Sequence, residues 1–170
     1  MNKTIAVDID DTLNNFSEIL NSFQPTNDNE YNQALIYAKK DRLLYSDIPA
    51  KYYTKIREIH KQAYILADVV PGAQEFMQWL NINGWRIVIL TYRDLRNCYT
   101  ETKQWLAKHG IHYDLIIDTS DIKSKVCRLW QIPYLIDDME NIEFARQIGV
   151  TVFRPGNWGG VKQCLAQDKN

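Results

Sequence analysis

Arg86-Ile87-Val88-Ile89-Leu90 runs apolar without a break after its arginine and is short enough to be a buried strand. The segments around it repeat the theme. Upstream, residues 73–83 read as a helix that stops at Gly84. Downstream come a helix over 97–109 stopped by Gly110, a strand over 113–117, and a helix over 123–131. A strand over 134–136, a helix over 141–148 ending at Gly149, and a last strand over 150–153 complete the series. Strands that are apolar throughout and alternate with helices imply a parallel sheet covered on both faces. The expected fold is α/β, a Rossmann-like three-layer parallel sheet.

Residues 14–70 break the alternation and contain no convincing strand. Tyr52, Tyr53, Ile56, Ile59, Ala63 and Leu66 follow helical spacing, with Pro49 placed to begin the helix, and Pro25-Thr26-Asn27-Asp28-Asn29 reads as a loop. The division that follows is a core of residues 1–13 and 71–170 carrying a small helical cap, residues 14–70, inserted after the first strand.

Composition narrows the function classes. A chain of 170 residues that is 45% hydrophobic can build one domain with a real core. Its formal net charge of −1 argues against an extended nucleic-acid surface but leaves room for a small phosphorylated ligand held by a few local cations. No apolar run approaches the ~20 residues of a membrane span. Met1-Asn2-Lys3-Thr4 leads straight into a strand without a leader. Cys98, Cys127 and Cys164 form no CxxC pair and read as reduced thiols of a cytoplasmic protein. His109 and His112 flank Gly110 and read as helix-end chemistry rather than metal ligation.

The chemistry is expected beyond the carboxyl ends of the strands, where open parallel sheets bind ligands. The first strand delivers Asp8, Asp10 and Asp11 directly after Ile5-Ala6-Val7. Carboxylates this close resist joint ionisation, and burial makes the conflict worse, so a divalent cation is implied. An EF-hand-like calcium loop does not account for them, because its twelfth position from Asp8 is Ile19 and its sixth is not glycine. The strand over 86–90 delivers Thr91, Tyr92 and Arg93, and the strand over 134–136 delivers Asp137 and Asp138. Lys123-Ser124-Lys125 opens the helix before that strand. Oxygen ligands for a hard cation, with hydroxyl and ammonium groups for phosphoryl oxygens, suit Mg²⁺ plus phosphate.

Asp8-Ile9-Asp10-Asp11-Thr12 resembles the DxDxT signature of the haloacid dehalogenase superfamily, and Thr91, Lys123 and Asp137-Asp138 resemble its second, third and fourth motifs in order. The insertion after the first motif is similar to the superfamily's small cap. The resemblance implies that Asp8 is the nucleophile and that Asp10 is the acid/base. It also implies that Thr91 and Lys123 bind the phosphoryl group. Asp8, the backbone carbonyl of Asp10, and Asp138 would hold Mg²⁺, with Asp137 acting through a metal-bound water. Lys125 competes with Lys123. Arg93 either reaches the phosphate, pairs with Asp94, or is solvated. Asp11 stands where the family often has glycine, and its carboxylate has no assigned role.

Within the superfamily the chain resembles the 5′(3′)-deoxyribonucleotidases. They too carry a helical cap after the first motif and a phenylalanine eight residues past the nucleophile, here Phe16. Phe16 would pack against base or sugar, or else serve as core of the cap hinge. Tyr45, Tyr52, Tyr53 and Tyr64 could stack on a base or fill the cap core. Arg154-Pro155-Gly156-Asn157-Trp158 resembles the nucleotidases' Pro-Trp-Asn element in altered order. Thr91-Tyr92-Arg93 stands where the nucleotidases tend to have Thr-Ser-Pro, and an arginine there fits a broader phosphate-recognition set that includes polynucleotide 3′-phosphatases. The expectation is a Mg²⁺-dependent phosphomonoesterase acting on nucleoside monophosphates through an aspartyl-phosphate. The alternatives are a polynucleotide 3′-phosphatase, another small-metabolite phosphatase, and a non-catalytic phosphate-binding module. Oligomeric state is left open, a homodimer included.

Overall fold

The computed structural model describes residues 3–40 and 47–167. Five strands, β1 (Thr4–Val7), β2 (Arg86–Thr91), β3 (Leu115–Asp118), β4 (Tyr134–Ile136) and β5 (Thr151–Phe153), form one parallel sheet in the order β3-β2-β1-β4-β5. The chain builds β1, β2 and β3 outward in one direction. It then returns to the other side of β1 for β4 and β5, so the order reverses between β1 and β4.

Alternation along the strands produces two cores. Ile5, Val7, Ile87 and Ile89 face helices α4 (Ala73–Ile82), α5 (Leu95–Lys108) and α8 (Trp158–Gln167). Ala6, Val88, Leu90 and Leu135 face α6 (Lys123–Leu129) and α7 (Ile142–Gln147). Period-two side chains on strands that are apolar on both faces give these three layers. α8 was not expected from sequence: Gly159 and Gly160 in its first turn weaken the local helical signal. Tertiary packing overrides that weakness, because Trp158 stacks on Phe76 at 4.9 Å and donates from Nε1 to the Pro71 carbonyl at 2.9 Å. Gly72 makes this fit possible with φ +80, and a Cβ there would lie 2.6 Å from the Trp158 ring.

The insertion holds α1 (Phe16–Ser22), α2 (Asn29–Ala38), a 3₁₀ turn (Ala50–Tyr52) and α3 (Tyr53–Leu66). Leu20, Ala34, Leu35, Ile56, Ile59 and Ala63 form its own apolar cluster, against which Phe16, Tyr52 and Tyr53 pack. Tyr45 lies outside the described residues. Two chain crossings join insertion and sheet, and they pair with each other: Asn14 bridges Val69 antiparallel, and Val70 N–H donates to the Leu13 carbonyl at 3.0 Å. α3 packs on α5, and the Trp105 indole donates to the Ala67 carbonyl at 2.7 Å. No described helix is long and apolar enough to cross a membrane.

Candidate active site

β1, β4 and β2 are the three central strands, and each ends at or directly before a residue expected at the site. Asp8 follows β1 and continues its ladder, donating its N–H to the Ile136 carbonyl at 3.0 Å. Asp137 follows β4 and donates to the Phe153 carbonyl at 3.1 Å. Asp8, Asp137 and Asp138 each place a carboxylate oxygen within 4.8 Å of the others, at the crevice where the strand order reverses.

Lys123 enters this cluster from the first turn of α6. It is 1% exposed, and its Nζ lies 2.6 Å from Asp8 Oδ2 and 2.8 Å from Asp137 Oδ2. Lys125 on the same helix is exposed and lies toward Phe144 instead. Burial pulls the Lys123 pKa down, but the charges of Asp8 and Asp137 outweigh it and hold the pKa above the ordinary value. Burial pushes Asp8 up to about 7 despite the attraction of Lys123, and Asp137 and Asp10 add repulsion in the same direction. Asp138 is pushed up to about 6, first by burial and then by Asp137. These carboxylates carry more negative charge than Lys123 balances. Oxygen donors in such surplus fit a hard divalent cation.

The loop holding Asp137 and Asp138 is fixed by residues to which the sequence reading gave no individual role. Asp137 Oδ1 accepts from the N–H groups of Met139 at 2.8 Å and Glu140 at 2.6 Å. The buried Glu140 accepts from Ser124 Oγ at 2.7 Å, which ties the loop to α6. Arg154 clamps the loop from β5, donating to the carbonyls of Asp137 and Glu140 at 2.7 Å each. Thr12 Oγ1 donates to Asp138 Oδ1 at 3.4 Å.

Asp10 and Asp11 are engaged by other partners. Asp11 takes φ +56, the left-handed conformation that glycine adopts most readily. Its carboxylate accepts from the Ser17 N–H at 2.8 Å and from the Ser17 hydroxyl, so it anchors the first turn of α1. Asp10 is bound bidentately by Arg93, from Nε at 2.9 Å and Nη2 at 2.6 Å. Arg93 is 2% exposed and is held by Asp10, not by Asp94, whose partners are Arg96 and Asn97.

Thr91 is buried, and its Oγ1 accepts from the Arg93 N–H at 3.2 Å. Tyr92 is 57% exposed, with the Lys123 ammonium 4.5 Å from its ring centre. Phe16 packs inside the insertion, 5.1 Å from the Tyr64 ring and 5.8 Å from that of His60.

Comparison with protein-family models finds no match, and comparison with curated proteins finds none. Solved structures do match. A haloacid dehalogenase-like hydrolase of Streptococcus pneumoniae is 18% identical with TM-score 0.58, over 92% of this chain and 88% of its own. A hydrolase of the same superfamily from Ehrlichia chaffeensis is 16% identical with TM-score 0.55, over 99% and 98%. One from Deinococcus radiodurans, with bound phosphate and sodium, is 11% identical with TM-score 0.57, over 97% and 95%. The fold is therefore the haloacid dehalogenase-like α/β fold.

Proposed function

We propose that the protein is a Mg²⁺-dependent phosphomonoesterase acting on nucleoside monophosphates through an aspartyl-phosphate on Asp8. The observation that carries this reading is the buried triad of Asp8, Lys123 and Asp137 beside Asp138, at the end of the central strand. Phosphate bound to a hydrolase of the same fold supports the choice of reacting group.

In the first step an Asp8 oxygen attacks phosphorus. The P–O bond to the leaving group breaks, and Asp10 gives that oxygen its proton. In the second step Asp10 takes a proton from water as the water oxygen attacks phosphorus, releasing phosphate and restoring the Asp8 carboxylate. Lys123 and the Thr91 hydroxyl bind the phosphoryl oxygens and offset the charge that develops there. Asp8, Asp138 and the Asp10 carbonyl would hold Mg²⁺, which when bound would offset the repulsion between the Asp8 carboxylate and the phosphate. Both Asp137 oxygens are already engaged, by Lys123 and by two backbone N–H groups, which suits a role through water.

The nucleotide assignment draws on the small aromatic-rich insertion and on the exposed Tyr92 ring, which offers a stacking face for a base. Both Nε and Nη2 of Arg93 are engaged by Asp10, which weighs against its use as a phosphate ligand and so against the 3′-phosphatase alternative. The test is hydrolysis of a panel of nucleotides, sugar phosphates and a 3′-phosphorylated oligonucleotide, with and without Mg²⁺. Nucleoside monophosphates should be the best substrates, and Asp8→Asn should abolish turnover of all. Full activity in Asp8→Asn would sink the mechanism, and a preference for the oligonucleotide would replace the substrate.

A further inference from the structure

We propose that Arg93 is the positioning residue for Asp10, and that Tyr64 of the insertion holds Arg93 in place. This inference rests on the phosphatase reading above. A guanidinium buried this deeply must have every direction accounted for. The Nε–Nη2 edge of Arg93 meets Asp10, Nη1 donates to Thr102 Oγ1 at 3.2 Å, and one face lies 3.8 Å from the centre of the Tyr64 ring. Thr102 belongs to α5 of the core and Tyr64 to α3 of the insertion, so Arg93 is gripped from both sides of the α3–α5 contact.

The hinge also reaches Asp10. Asn14, which bridges Val69, donates from Nδ2 to Asp10 Oδ1 at 3.3 Å. Its own oxygen accepts from the N–H groups of Asp11 and Phe16, which fixes the amide's orientation. A carboxylate has about four lone-pair sites, two on each oxygen. Arg93 Nη2 and Asn14 take both sites on Oδ1, and Arg93 Nε takes one on Oδ2. About one site remains, on Oδ2, and the transferable proton is confined to it. Docking of the insertion thereby sets the direction in which the acid delivers its proton.

The experiment compares two esters that differ in their need for an acid. p-Nitrophenolate leaves without a proton, whereas the alkoxide of a nucleoside monophosphate does not. kcat/KM reports phosphoryl transfer to Asp8 and not the later hydrolysis. Arg93→Lys, which keeps the charge and loses the fork, should lower kcat/KM for the nucleotide by about 100-fold and for p-nitrophenyl phosphate by less than about 10-fold. Tyr64→Leu should shift the ratio in the same direction by a smaller factor, and Tyr64→Phe, which keeps the ring, should restore it. Losses equal on the two esters, in Arg93→Lys or in Tyr64→Leu if the first does not fold, overturn the inference and leave the phosphatase reading standing. A wild-type protein that hydrolyses neither ester overturns both.

Discussion

Replacing Lys123 by methionine removes the positive charge between Asp8 and Asp137 while keeping most of the side chain's volume. Removing one partner of a buried ion pair costs about 3–5 kcal/mol, because the charge left behind is neither solvated nor neutralised. The variant has one escape: Asp8, already pushed up to about 7, can take a proton. Wild-type Asp8 ionises above that value whereas the variant's, without the attraction of Lys123, keeps its proton, so each pH unit above it adds about 1.4 kcal/mol to the difference, and the cost should be about 1.4 kcal/mol smaller at pH 5.5 than at pH 8. Against a total stability of about 5–15 kcal/mol, the loss at pH 8 is large. With a urea slope of about 2 kcal/mol per molar, the unfolding midpoint should fall by about 2 M at pH 8 and by about 1.3 M at pH 5.5. The measurement is urea unfolding of wild type and variant in Mg²⁺-free buffer at both pH values. A midpoint shift below about 0.5 M, or the same shift at both, would refute the reasoning, since either outcome means that Lys123 does not neutralise a buried carboxylate pair.

Other expectations follow from the same geometry. Asp8 and Asp138 have folded pKa values raised above the ordinary carboxylate value, to about 7 and about 6. The folded chain therefore holds protons that the unfolded chain releases. Their stabilising contribution is full below about pH 4 and is lost as pH rises through 6 and 7, so the Tm without Mg²⁺ should drop from pH 5 to pH 8. Added Mg²⁺ should raise the Tm more at pH 8 than at pH 5, and equal shifts would count against a cation site at these carboxylates. Gly72→Ala, at φ +80 and against Trp158, should cost about 1–3 kcal/mol by urea unfolding. Arg154→Ala frees the carbonyls of Asp137 and Glu140 and should raise the Mg²⁺ concentration for half-maximal activity about 10-fold, read from a Mg²⁺ titration of the phosphatase rate.

The strand cores were legible in the sequence because an apolar run shorter than a helix has few places to go. β2 and β4 lie within a residue of where Arg86-Ile87-Val88-Ile89-Leu90 and Tyr134-Leu135-Ile136 placed them. The edges were less so. α6 ends at Leu129 because Gln131 turns to φ +57. β3 starts only at Leu115, and the Asp114 carboxylate accepts the Ile87 N–H at 2.7 Å before it. Such endings depend on a single dihedral or a side-chain acceptor, and hydrophobic period does not encode either.

The sequence by itself determined the alternating α/β architecture, the insertion after β1, and which acidic, hydroxyl and amino groups lie at the carboxyl ends of the strands. Those features follow from local periodicity and from the rule that parallel strands share a direction. Only the tertiary structure decided how the acids are divided. Asp8 goes to Lys123, Asp10 to Arg93 and Asn14, and Asp11 to the start of α1. The three stand within four residues, yet their partners come from α6, from the end of β2 and from the hinge and insertion. A carboxylate's role is set by the charge and donors that reach it through space, and neighbours in sequence leave that undetermined.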